Sequence, residues 1–299
     1  MIMRAGIVIL PVARWSRAVE SWRRADACDF HSAWTYDHLS WRSFREQPWF
    51  GAVTTLTAAA TATERIRLGT MVTSPNFRHP VTLAKDVMGI DDVSNGRFTL
   101  GIGAGGTGFD ASTLGQSPWS PRERADRFAE FVEASDRLLS SPATTYEGRF
   151  YTADEARMIP GCVQAPRVPF AIAATGPRGM RLAARYGQAW VTYGDPTGPG
   201  ETPPEKCPDV IRGQLARLAD ACAEAGRDVA GMDRLLLTGS TQERPLESVD
   251  AFVDFAGRYA EMGITDLIVH EPIPDTFFAA DRTVFDRIVE DGLAQIRDL

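Results

Sequence analysis

The stretch Phe98-Thr99-Leu100-Gly101-Ile102-Gly103-Ala104-Gly105-Gly106-Thr107-Gly108 decides the fold. Its first half is an apolar run of strand length, entered from Ser94-Asn95-Gly96-Arg97, a helix stop followed by a turn. Gly101, Gly103 and Gly106 match the G-x-G-x-x-G spacing of dinucleotide-binding folds, but that motif needs a helix to open at once beneath the glycines. The next capped helix start waits until Ser120-Pro121-Arg122-Glu123, with an N-cap serine, a proline at the first helical position and a capping-box glutamate. A Rossmann dehydrogenase is therefore a poor fit. The glycines are expected instead to let the backbone approach a flat ring closely.

Working outward, short apolar runs alternate with longer amphipathic ones, the pattern of βα units and a parallel sheet. Strands are expected over residues 4–12, 33–37, 67–73, 98–103, 169–174, 189–193, 234–238 and 266–270. No run is charged or proline-broken as an edge strand should be, so the expectation is a closed (β/α)8 TIM barrel spanning 1–299 as one domain. Three connections exceed what such a barrel needs: 107–120, 144–168 and 195–208. The first and third follow strands and so belong to the catalytic face, where they would form a lid. The second follows a helix, should make a hairpin over 145–151, and is given no catalytic role.

Bulk properties narrow the function. The 299 residues are 44% hydrophobic and 24% charged, enough to fill a large core, and the net charge of −7 argues against nucleic acid or an anionic membrane as partner. Cys28, Cys162, Cys207 and Cys222 form no C-x-x-C pair, which argues against zinc and redox dithiols and reads as free thiols in a cytoplasmic protein. The apolar start near Ile7 is too short for a membrane span and lacks a cleavage site, so it reads as a first buried strand.

In a barrel of this kind the residues just after each strand carry chemistry. After the second strand stand Tyr36-Asp37-His38, and His38 is a candidate proton donor or acceptor among four histidines. After the third, the hydroxyls of Thr73 and Ser74 fall where a ligand's polar edge would meet them, while His79, before Pro80, suits a capping or packing role rather than catalysis. After the fifth, Thr175-Gly176-Pro177-Arg178-Gly179 opens a helix whose free N–H groups, with the charge of Arg178, suit a phosphate. Trp41, Trp49 and Tyr193, lying beyond their strands, are candidates for an apolar substrate pocket.

Taken together, residues 69–75, Arg78-His79-Pro80, Leu83-Ala84-Lys85, residues 94–98 and 100–103, Gly176-Pro177 and residues 187–190 resemble the bacterial-luciferase-like superfamily in order and spacing. The match runs to about Gly194; beyond it only the strand-helix rhythm is shared. The resemblance implies an oxidoreductase that uses either FMN, often as a monooxygenase, or the deazaflavin coenzyme F420 for hydride transfer, acting on a small molecule and assembling as a homodimer. Asp37-His38 resembles the deazaflavin branch. There the aspartate contacts the cofactor and the histidine lies near its reactive carbon, whereas FMN members more often carry Glu-His-His. The same resemblance implies cofactor contacts from Met71 and Val72 at a strand bulge, often with a non-prolyl cis peptide, and from Ser74, Ala104, Gly105, Thr175, Gly176, Arg178 and Gly179. Sugar-phosphate dehydrogenases of that branch place a catalytic glutamate where Gly106 stands and an asparagine where Phe109 stands, so this chain should not oxidise their substrate by their mechanism. F420-dependent hydride transfer with His38 as catalytic residue is the leading expectation. An FMN monooxygenase is the alternative, and a flavin-binding protein without turnover is the reading from another class.

Overall fold

A computed structural model describes residues 3–41, 44–106, 109–195, 201–297 and 299. Eight parallel strands close into a ring: β1 (Arg4–Val8), β2 (Ser32–Thr35), β3 (Arg67–Thr70), β4 (Phe98–Gly103), β7 (Phe170–Ala173), β8 (Ala189–Thr192), β9 (Asp233–Leu237) and β10 (Asp266–His270). All eight expected strands are present. β1 and β3 fall furthest short of their expected spans: β1 ends at Val8, and the ladder of β3 stops at Thr70, before the cis peptide Met71–Val72, with a single bridge resuming between Thr73 and Ile102. The remaining pair, β5 (Ala143–Glu147) and β6 (Thr152–Arg157), forms the expected antiparallel hairpin, with arms longer than the sequence suggested.

Helices α1 (Trp15–Ala27), α2 (Ala52–Ala62), α3 (Pro80–Val93), α5 (Pro121–Ser140), α6 (Pro177–Tyr186), α7 (Cys207–Glu224) and α8 (Val249–Glu261) cover the ring, and α9 (Arg282–Arg287) and α10 (Leu293–Arg297) close the chain. Their starts are encoded locally. Ser120 and Glu123 make the reciprocal capping box of α5, and the His79 side chain accepts a hydrogen bond from the Val81 amide at 3.2 Å to cap α3, a role expected of it. Asn95 and Gly96 both take positive φ where α3 turns into β4. Among the described residues no helix is long and apolar enough to cross a membrane.

Two apolar layers hold the barrel. One lies between strands and helices, with Trp22, Phe131, Trp190 and Phe252 fully enclosed. The other fills the ring, with Val8, Trp34, Met71, Val191 and Ile268. Trp34 enters that interior because Gly69 makes room: a Cβ there would stand 2.4 Å from the indole. Gly101 and Gly103 serve the same end. A Cβ on Gly101 would meet the Thr70 carbonyl oxygen at 1.8 Å, and one on Gly103 would meet Val72 at 2.6 Å. Both glycines thus answer to the packing of β4 on the β3 bulge, and Gly101, which lies off the cavity, corrects the expectation that the whole glycine run serves a ligand.

Candidate active site

The C-terminal ends of the strands surround a cavity of about 740 Å³. His38, Trp41, Met71, Val72, Ser74, Ala104, Gly105, Thr175, Gly176, Arg178, Gly179 and Tyr193 all line it, so residues separated by more than 150 positions meet in one wall. Asp37 and Trp49 are not on that wall.

His38 is held at three points. Its Nδ1 lies 2.7 Å from Oδ2 of Asp110, the amide of the next residue, Leu39, donates to Oδ1 of the same carboxylate at 2.7 Å, and its own carbonyl accepts from the Trp49 indole at 2.8 Å. Trp49 therefore backs the histidine, stacked against Trp41, which does line the cavity. Asp110 is 2% exposed and sits on α4 (Phe109–Thr113), a five-residue helix inside a connection expected to carry none before Ser120. No sequence signal marks it. One aspartate in a loop has no periodicity, and a helix of five residues is too short to show any.

Asp37 is equally buried but differently engaged. Arg78 donates to it through Nε at 3.1 Å and through its terminal nitrogen at 2.7 Å, and Thr73 donates its hydroxyl at 2.9 Å. Burial lowers the Arg78 pKa, but the hydrogen bonds and charge of Asp37 outweigh it, and the net direction is upward. The carboxylate that the resemblance directs to a cofactor thus spends its lone pairs on a guanidinium and a hydroxyl beneath the wall.

Beyond His38 the wall is built for close approach. Val72 and Gly103 lie side by side, and Gly105 takes φ +76°, a conformation that side chains disfavour. Behind Gly105 stands Asn76, whose amide a Cβ would strike at 2.3 Å. At Gly106 and Gly176 a Cβ would meet open space. The Ser74 hydroxyl is buried at the cavity with no partner among the described residues, the kind of polar atom that a ligand satisfies. Arg124 donates to the Gly105 carbonyl at 3.1 Å and fixes that turn from α5.

At the far end, α6 begins with Gly176 as N-cap and Pro177 behind it, with no side chain capping the helix. The first N–H groups of a helix have no internal acceptor, and the dipole makes that end attractive to anions. The Trp190 indole donates to the Ala174 carbonyl at 2.7 Å and holds the approach to this turn. Arg178 is about half exposed and ion-paired to Asp126. Its charge is therefore shared with an acid, which the sequence did not foretell.

Sequence reasoning also missed a second histidine. His270, at the end of β10, is buried, with its Nε2 2.9 Å from the hydroxyl of Tyr36, a cavity-lining residue, and its ring stacked 4.0 Å from Phe278. Burial pushes its pKa down to about 3, so it stays neutral across the ordinary pH range. Its placement at a strand end was the available signal.

Comparisons with known proteins follow this geometry. A family model described as luciferase-like monooxygenase matches residues 3–263. The chain is 32% identical to a 4-hydroxyprotoasukamycin monooxygenase of Streptomyces nodosus subsp. asukaensis, over 80% of this chain and 64% of that protein's length. It is 28% identical to an F420-dependent glucose-6-phosphate dehydrogenase of Beutenbergia cavernae, over 91% of each. Among solved structures, an F420-dependent secondary alcohol dehydrogenase superposes with a TM-score of 0.78 at 20% identity, covering 100% of this chain and 98% of that one. The F420-dependent tetrahydromethanopterin reductase of Methanopyrus kandleri gives 0.77 at 17% identity, over 99% and 100%. These structures share the barrel. With its family model covering most of the sequence, the chain belongs to the luciferase-like monooxygenase family, a family of oxidoreductases.

Proposed function

We propose that this chain is a coenzyme F420-dependent oxidoreductase that moves a hydride to or from a small organic substrate. The observation that carries the reading is the anchored His38–Asp110 pair on the wall of a cavity whose other walls suit a flat, phosphate-bearing ring. The residues present fit such a group. Met71 and Val72 would support its ring, Ser74 would gain a partner for its orphaned hydroxyl, Ala104 and Gly105 would border it, and the α6 turn from Thr175 to Gly179 would take its phosphate. When bound, the deazaflavin supplies the hydride acceptor or donor. The chain's own part is to orient the substrate, keep water out with Trp41 and Tyr193, and hold or release a proton at His38.

Open space at Gly106 supports a substrate other than a sugar phosphate, since the glutamate that the resemblance places there is missing. The reading of an FMN monooxygenase is kept by one observation, the similarity to the Streptomyces monooxygenase. A homodimer is part of the proposal, and light scattering tests it. Parallel fluorescence titrations with F420 and with FMN decide between cofactors. Tighter binding of F420 is expected, and micromolar FMN binding with no response to F420 would overturn the assignment.

A further inference from the structure

We propose that Asp110 is a positioning residue that sets the tautomer of His38, so that Nε2 is the nitrogen able to take a proton from a substrate oxygen. The proposal rests on the reading of this cavity as the reaction site. Its chemistry comes from four facts: the Nδ1–Oδ2 distance of 2.7 Å, the Leu39 amide on Oδ1 at 2.7 Å, the near-complete burial of Asp110, and the place of His38 in the cavity wall. Among the described residues lining the cavity, Asp110 is the one carboxylic acid.

An ionised carboxylate only accepts hydrogen bonds, so the Nδ1 facing it must carry a proton. A neutral imidazole has one N–H, and placing it on Nδ1 leaves a bare lone pair on Nε2. When a substrate hydroxyl meets that lone pair, the O–H bond breaks as the Nε2–H bond forms. The positive charge of the ring then lies beside Asp110, and the reverse step returns the proton to the oxygen. The partner that the resemblance places at position 106 is absent, and Asp110 reaches the same chemistry from the next turn of chain, through His38. Buried Asp37 cannot replace it, because Arg78 and Thr73 already occupy its oxygens.

The Leu39 amide makes the test sharp, because it can only donate. In Asp110→Asn the side-chain oxygen must turn to Leu39, which leaves the –NH2 group facing Nδ1. Nδ1 then has to accept, and the proton moves to Nε2. Histidine 15N spectra read this directly, with no cofactor or substrate needed. At pH 9, well above the ordinary histidine range, the four histidines give separable signals, and His38→Gln identifies the one of interest. Wild type is expected to show His38 protonated on Nδ1, and Asp110→Asn to show it protonated on Nε2, with the other three histidines unchanged. Once a substrate is in hand, turnover of that variant should fall by about 10² or more. Wild-type His38 protonated on Nε2, or a variant with an unaltered tautomer, overturns the proposal. If Asp110→Asn fails to fold, the wild-type spectrum decides alone. The cofactor titrations fail or succeed independently of this result.

Discussion

Asp37 and Asp110 are both carboxylates with almost no solvent exposure, and both secure the end of β2, yet they lead to different chemistry. Asp37 meets a guanidinium, which never gives up its proton at working pH, so the pair is fixed and its role is to hold the β2 and β3 ends together. Asp110 meets an imidazole, whose two ring nitrogens can each donate or accept, so the same kind of contact becomes a means of directing a proton. A buried acid is thus structural or functional according to its partner.

The largest expected effect breaks the fixed pair. Arg78→Ala leaves Asp37 buried with a lone hydroxyl donor, and the loss of one partner from a buried pair costs about 3–5 kcal/mol. Urea unfolding measures it, and a loss under about 1 kcal/mol would mean that water reaches Asp37.

His270 sharpens the contrast, being a buried histidine whose Nε2 meets a tyrosine hydroxyl rather than a carboxylate. Its folded pKa of about 3 lies below the unfolded value of about 6.5, so between those limits the unfolded chain binds a proton that the folded chain refuses. Stability from this group is therefore full above pH 6.5 and falls on acidification by about 1.4 kcal/mol per pH unit until the folded pKa is reached. Unfolding free energies of wild type and His270→Gln across pH 4–7 should show a steeper acid loss in the wild type; parallel curves would place the acid sensitivity elsewhere.

A somewhat smaller effect is expected at the His38–Asp110 pair. His38→Ala should lower turnover by roughly 10²-fold, equivalent to about 2.7 kcal/mol of barrier, with cofactor affinity held within about threefold. Normal turnover on the true substrate would reduce His38 to a packing residue.

Smallest of all is the exposed pair at α6. Arg178 is half in solvent and shares its charge with Asp126, so Arg178→Ala should cost no more than about 1 kcal/mol of cofactor binding, less still at high salt. Calorimetric titration at two salt concentrations measures this, and a loss above about 3 kcal/mol would show that the guanidinium leaves Asp126 for the ligand.

By itself the sequence determined the barrel. Short apolar runs, amphipathic stretches of helical period, the capping box at Ser120 and the turn at Asn95-Gly96 are local, so eight strands could be placed from neighbouring residues alone. Strand ends are local too, which is why His38, Ser74 and the Gly176 turn were legible. Only the tertiary structure decided which acid meets which base. Asp110 reaches back 72 positions to His38, and Arg78 reaches 41 to Asp37. Such pairs leave no trace in spacing, because barrel closure brings them together. The same closure sets the glycines apart: Gly101 and Gly103 answer to β3, while Gly106 borders open space, a difference that exists only once the strands lie side by side.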